Sequence, residues 1–163
     1  MVPAMVPEDL QVVSTNKKML SNMIYLEKKD LITDAFERFI DESSKDDETV
    51  LDNAEERAIA LVKTMIGSRY NVALIFDETT PIINEMLVQI ISRIVLYRVI
   101  KRNAARKVPT DYKEDYDEAI KWLNDIATGK TPLAGLPLPE DENGDPTNSK
   151  SLWGNNSNSD FYI

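Results

Sequence analysis

The stretch Ile82-Ile83-Asn84-Glu85-Met86-Leu87-Val88-Gln89-Ile90-Ile91-Ser92-Arg93-Ile94-Val95-Leu96-Tyr97-Arg98-Val99-Ile100 decides the fold. Its apolar residues recur at helical spacing, with Ile82, Ile83, Met86, Leu87, Ile90, Ile91, Ile94, Val95, Leu96, Tyr97 and Ile100 covering more than half of a helix circumference. A helix so apolar belongs at the centre of a bundle and is predicted to be the most buried element. Thr79-Thr80-Pro81 reads as an N-cap followed by proline at the first helical position, which predicts that this helix starts there.

Downstream, Val108-Pro109-Thr110 breaks the pattern and caps a helix bearing Tyr112, Tyr116, Ala119, Ile120, Leu123, Ile126 and Ala127, closed by Gly129. Upstream, a helix from about Asp47 carries Val50, Leu51, Ala54, Ala58, Leu61, Val62, Met65 and Ile66 on one stripe, with Gly67 just past its end. Acids crowd its first turn, which suits the positive end of the helix dipole. Met23-Ile24-Tyr25-Leu26 is a short apolar lead-in. After it Leu31, Ile32, Ala35, Phe36, Phe39 and Ile40 share one face of a helix ending near Asp41, and Ser43 to Asp47 is a loop. Arg69 to Phe76 fits either an extended segment or a further helical turn, because periodicity does not assign so short an apolar run.

The expectation is an all-α fold, a small four-helix domain over residues 24–129 with antiparallel neighbours. Residues 1–23, with Pro3, Pro7 and the polar run Ser14 to Lys18, read as a flexible N-terminal arm. Residues 130–163 read as an extended acidic tail rich in Pro and Asn, with too little apolar content for a core of its own.

The 163 residues fit one domain with a modest core. The chain has no Cys and no His. That removes disulfides, thiolate nucleophiles, Cys-type metal sites and every Ser-His-Asp or Cys-His mechanism, and with them the commonest transition-metal ligand. With only five Gly, a dinucleotide or phosphate loop lacks material. No cofactor, no metal and no catalytic residue set is expected. No uncharged run approaches the roughly 20 residues of a membrane span, and the first 23 residues lack the apolar block of a secretory signal, so no membrane contact and a cytoplasmic product are expected.

Three motif fragments fail on inspection. Gly129-Lys130-Thr131 resembles the end of a P-loop, but position 124 is Asn124 and Pro132 follows where a helix is required. Asp141-Glu142-Asn143-Gly144-Asp145 resembles a calcium loop, yet Pro146 stands at the glycine position and Leu152 at that of the bidentate glutamate. Asn155-Asn156-Ser157 fits the glycosylation pattern in a chain expected to stay inside the cell. Asp115 and Asp117, near Tyr112 and Tyr116, are the best candidates for a carboxylate pair, and a solvated helix face explains them as well. Trp122 reads as an anchor at the core edge.

The charges are segregated. Glu27 to Glu56 holds twelve acidic side chains against four basic ones, whereas Met86 to Thr110 holds six basic ones and no acid, within a net charge of −9. One end of the domain is therefore expected to be acidic and another basic. Three readings fit: pairing within one copy at little energy, a third-helix strip that binds DNA phosphates, and head-to-tail self-association in which a ring closes if the rotation permits.

Val108-Pro109-Thr110-Asp111-Tyr112 and the string Tyr116-Asp117-Glu118-Ala119-Ile120-Lys121-Trp122-Leu123-Asn124-Asp125-Ile126-Ala127-Thr128-Gly129-Lys130 are specific. Together with Leu133, Ser68-Arg69-Tyr70 and Arg93-Ile94-Val95-Leu96-Tyr97, they resemble the Mu-like prophage neck family, a domain of unknown function. That family is similar in turn to the small α-helical head-tail connector, or adaptor, proteins of tailed phages. The resemblance covers about residues 24 to 138 and implies a non-catalytic virion protein that forms a ring, commonly dodecameric, between the portal protein and a downstream neck or tail protein. DNA would pass through the lumen, and assembly would occur in the host cytoplasm. The longer N-terminal arm and the acidic tail depart from the family pattern.

On this reading Asp46, Asp47, Glu48, Asp52, Glu55 and Glu56 form the acidic side of the subunit interface, and Arg93, Arg98, Lys101, Arg102, Arg106 and Lys107 the basic side. The tail would dock on a neighbouring ring through Pro137, Pro139, Trp153, Phe161, Tyr162 and Ile163. The alternative is a small helical DNA-binding regulator that uses the basic end of the third helix.

Overall fold

In the computed structural model, which describes residues 23–44, 47, 49–102 and 108–140, the chain runs α1 (Lys28–Asp34), α2 (Glu37–Ser44), α3 (Thr49–Ile66), α4 (Val72–Ile75), α5 (Glu85–Arg102) and α6 (Thr110–Thr128). The described residues contain no strand element, so the fold is all-α as the periodicity predicts. Helix α5 is the hub. It contacts α1, α2, α3 and α6, and buries Leu87, Ile90, Ile91, Ile94, Val95, Leu96 and Val99. Each such side chain contributes about 1.5–3 kcal/mol relative to exposure, which makes α5 the main source of stability. Leu51, Ala58, Val62 and Ile66 of α3 and Ala119, Leu123 and Ile126 of α6 close over it, in the phases read from the sequence.

Among the described residues six helices stand where four were expected. The first predicted helix is two: Ala35 takes an extended conformation (φ −144°, ψ 147°) and ends α1 without any Pro or Gly. The break aims Leu31 and Ile40 separately into the core, both fully buried, and leaves Phe36 77% exposed. Lys28 of α1 fastens the pair by reaching Glu37 at 3.2 Å and Asp41 at 3.3 Å. The ambiguous segment after Arg69 resolves as the short helix α4, with the Asn71 side chain accepting from the Leu74 N–H.

The predicted start of the central helix at Pro81 is also corrected. The Asp77 carboxylate gathers the Thr79 and Thr80 N–H groups and the Thr79 hydroxyl into a turn. Beyond it the buried Tyr25 hydroxyl donates to the Ile82 carbonyl and accepts from the Asn84 N–H, holding this stretch out of the helix. The Asn84 side chain then caps α5 by accepting from the N–H groups of Met86 and Leu87.

The boundary drawn at residue 130 falls inside the packed unit. Gly129 takes the left-handed conformation (φ 78°) that ends α6, and the chain returns across the body. The Leu133 N–H donates to the Tyr70 hydroxyl at 2.8 Å, the Asn71 N–H donates to the Pro137 carbonyl at 2.9 Å, and Leu136 is buried. Residues 130–137 of the predicted tail are therefore held against the helical body. Among the described residues no helix is long and apolar enough to cross a membrane.

Candidate interaction surface

The acidic segment and the basic segment do not occupy different ends of the molecule. Helix α3 runs against α5 so that its first turns lie beside the last turns of α5, and the two segments meet along one groove of about 570 Å³. Asp47 and Asn53 line it from the α3 side, together with Arg57, while Arg98, Lys101 and Arg102 line it from α5. Four cations thus face one carboxylate. Asp47 is held below its usual value by the Thr49 hydroxyl and backbone N–H, with the Arg102 charge adding to the effect. Among the described residues no carboxylate lies within ion-pair distance of Arg57, Arg98, Lys101 or Arg102. Lys101 instead sits 5.6 Å from the Tyr97 ring.

A second groove of about 430 Å³ opens on the other flank of α3. Its charged residues are Asp52, Glu55, Glu56, Glu78 and Lys63, around an apolar floor that includes Ile24, Ile59 and Phe76. Asn53 is common to both grooves. The helix supplies the separation: side chains one residue apart diverge by about 100°, while residues four apart stay in one row. Asp52 and Glu56 form one row and Asn53 and Arg57 the next.

Two residues assigned to the interface are committed inside the molecule. Glu55 is 2% exposed, and its carboxylate accepts the N–H groups of Ile24, Tyr25 and Leu26 at 2.7–2.9 Å. It fastens the lead-in segment to α3 and takes no place on an acidic outer face. Its phase carries the signal: it stands four residues after Leu51 and three before Ala58, on the buried stripe, whereas Glu56 stands off it. Arg93 is likewise withdrawn from the basic set. Its side chain is 15% exposed, bridges Asp115 and Glu118 of α6, and lies 4.7 Å over the Trp122 ring. That contact also accounts for Asp115 as an ion-pair partner and for Trp122 at the core edge, while Tyr116 stacks on Tyr97 at 4.5 Å.

Three charged residues of the grooves fall outside the sequence-derived sets: Arg57 lies one position beyond the acidic window, Lys63 lies in the last turn of α3, and Glu78 sits in a loop with no period. Asp46, Glu48, Arg106, Lys107, Trp153, Phe161, Tyr162 and Ile163 lie outside the described residues. Pro137 has its carbonyl engaged by Asn71.

The family model described as bacteriophage Mu, Gp36 matches residues 15–151, most of the chain. No curated protein and no solved structure matches it.

Proposed function

This chain belongs to the bacteriophage Mu Gp36 family, and we propose that it is a virion structural protein of the head-tail neck, assembling as a ring of copies between portal and tail. The family match across residues 15–151 carries this reading. The body supports it, because its best-placed polar groups hold the fold together: Glu55 anchors the lead-in segment, Arg93 joins α5 to α6, and Arg69 caps α6 through the Ala127 and Thr128 carbonyls. What they leave is a rigid helical body with two flanks of opposite charge, a feature suited to a part that assembles with its own kind.

The test is the composition and shape of phage particles. Under this proposal mass spectrometry finds the chain in purified virions, and particles made without it are DNA-filled heads that fail to join tails. Absence of the chain from virions, or normal tailed particles in its absence, overturns it.

A second reading, a small DNA-binding regulator, is favoured by the four cations of the α3–α5 groove. The net charge of −9 opposes it, since the acidic remainder repels the duplex. Retardation of duplex DNA at low salt, lost in Arg57→Glu/Arg102→Glu, is the outcome that reading requires.

A further inference from the structure

We infer that the groove of Arg57, Arg98, Lys101 and Arg102 is the docking site of the chain's own acidic C-terminal segment, residues 141–163, which occupies it in the free subunit. The inference goes beyond the neck reading and does not depend on it. Among the described residues no carboxylate reaches these four cations at ion-pair distance, and Asp47 is the one acid that lines the groove with them. Arg57, Lys101 and Arg102 are exposed. Like charges gathered around one groove repel one another until an anionic group enters. The segment carries the complementary set, with Asp141, Glu142, Asp145 and Asp160 against the single Lys150. Four cations and one carboxylate thus face four carboxylates and one lysine. Trp153 and Phe161 add rings on which an Arg guanidinium stacks, and Val50 and Val99 supply an apolar floor.

Placement favours the segment of the same copy. Pro137, four residues before the segment starts, is held by the Asn71 N–H just past the end of α3, whereas the groove lies over the first turns of that helix. The two points are separated by about the length of α3, whose 18 residues span about 27 Å. The segment has 23 residues, and a polar chain of that length has a root-mean-square span of about 24–29 Å. Tethered binding is most effective when tether and span match, at an effective concentration in the millimolar range that a second copy in dilute solution does not approach. The segment therefore screens the groove. DNA, or any acidic protein surface, enters only by displacing it.

The experiment uses the full chain, which has no native cysteine, with a nitroxide attached at Asn53→Cys, an exposed position lining the groove. In nuclear magnetic resonance spectra at low salt the label is expected to cause loss of amide signal in residues 141–163. That loss is expected to vanish near 1 M salt, where the Debye length is about 3 Å, and in the Arg57→Glu/Arg102→Glu variant. A mixture of isotope-labelled chain without nitroxide and unlabelled chain carrying it is expected to show no loss. The neutralised chain Asp141→Asn/Glu142→Gln/Asp145→Asn/Asp160→Asn is expected to keep its signals and to retard duplex DNA at low salt about tenfold more strongly than the wild type. Adding Arg57→Glu/Arg102→Glu is expected to cancel that gain, and far-ultraviolet circular dichroism confirms the folding of each variant. Signals of residues 141–163 untouched by the label, or a loss indifferent to salt and to the charge reversal, overturns the inference. Loss in the mixture overturns it in favour of a second copy as the occupant. DNA retardation no stronger in the neutralised chain overturns the screening. Virion composition is scored separately, so failure here leaves the neck reading standing.

Discussion

The Glu55 carboxylate accepts the Leu26 backbone N–H at 2.7 Å, and through the same group it also holds Tyr25 and Ile24, thirty residues upstream. Removing the acceptor strands buried N–H groups, and each costs about 1–3 kcal/mol when left unsatisfied. Glu55→Ala is therefore expected to lose about 3 kcal/mol or more in urea unfolding, a large part of the stability of a domain this size. Glu56→Ala, exposed and one residue on, is expected to stay within about 0.5 kcal/mol of the wild type. Equal losses at the two positions would contradict the assignment of Glu55 as an internal anchor.

Arg93 joins α5 to α6 by charge and by stacking on Trp122 at once. A lysine keeps the charge and loses the planar fork. Arg93→Lys is expected to destabilise by about 1–2 kcal/mol, and Glu118→Gln, whose side chain is half exposed, by less than about 1 kcal/mol. A double-mutant cycle with Trp122→Leu measures the stacking contribution. No coupling between Arg93 and Trp122 would remove that contact from the account.

Gly129 is constrained twice. Its φ of 78° disfavours any side chain, and a Cβ there would run into the Arg69 guanidinium that caps α6. Gly129→Ala is expected to cost about 1–2 kcal/mol or more in thermal or urea unfolding. In an Arg69→Ala background the clash is gone and only the backbone strain is left, so the same substitution is expected to cost less there. An equal cost in both backgrounds would assign the whole effect to φ.

Asp77 titrates at about 2, below the ordinary value of 3.8, because the Thr79 hydroxyl and the Thr80 and Thr79 N–H groups stabilise its carboxylate. A folded value below the unfolded one gives stability that is fully present above about pH 4 and is lost as pH falls toward 2. Carbon-detected nuclear magnetic resonance titration of Asp77 reads this directly. Thr79→Val removes the hydroxyl and is expected to move the midpoint upward, while an unchanged midpoint would reject the hydrogen bond as its cause.

The parts of the fold that were legible from sequence are those where local period and burial coincide. The stripe of Leu51, Ala58 and Val62, the all-round apolar α5 and the Gly129 stop on α6 each follow from spacing and capping alone. The start of α5 was not legible, because the decisive partner of Ile82 and Asn84 is Tyr25, 57 and 59 residues away. The break at Ala35 has no turn residue to announce it and is imposed by packing Leu31 and Ile40 separately on the core. The surface was half legible: charge segregation is plain in the sequence, but which charges face outward depends on helix phase, and how the two segments lie depends on α3 running antiparallel to α5. Glu55 and Arg93 left the surface by phase and by a tertiary partner. Arg57 and Glu78 joined it because neighbouring elements brought them to the grooves.

The absence of cysteine makes the central claim directly measurable, because any disulfide in a substituted chain comes from the substitutions. A chain carrying Glu56→Cys and Arg102→Cys places one thiol on the acidic flank of α3 and one at the end of α5 in the basic groove. If neighbouring copies join acidic flank to basic flank, mild oxidation yields a ladder of covalent multimers that reduction collapses to a single band, while either substitution alone gives no ladder. Oxidation that leaves the doubly substituted chain monomeric, under conditions where the wild type assembles, would contradict the flank-to-flank ring.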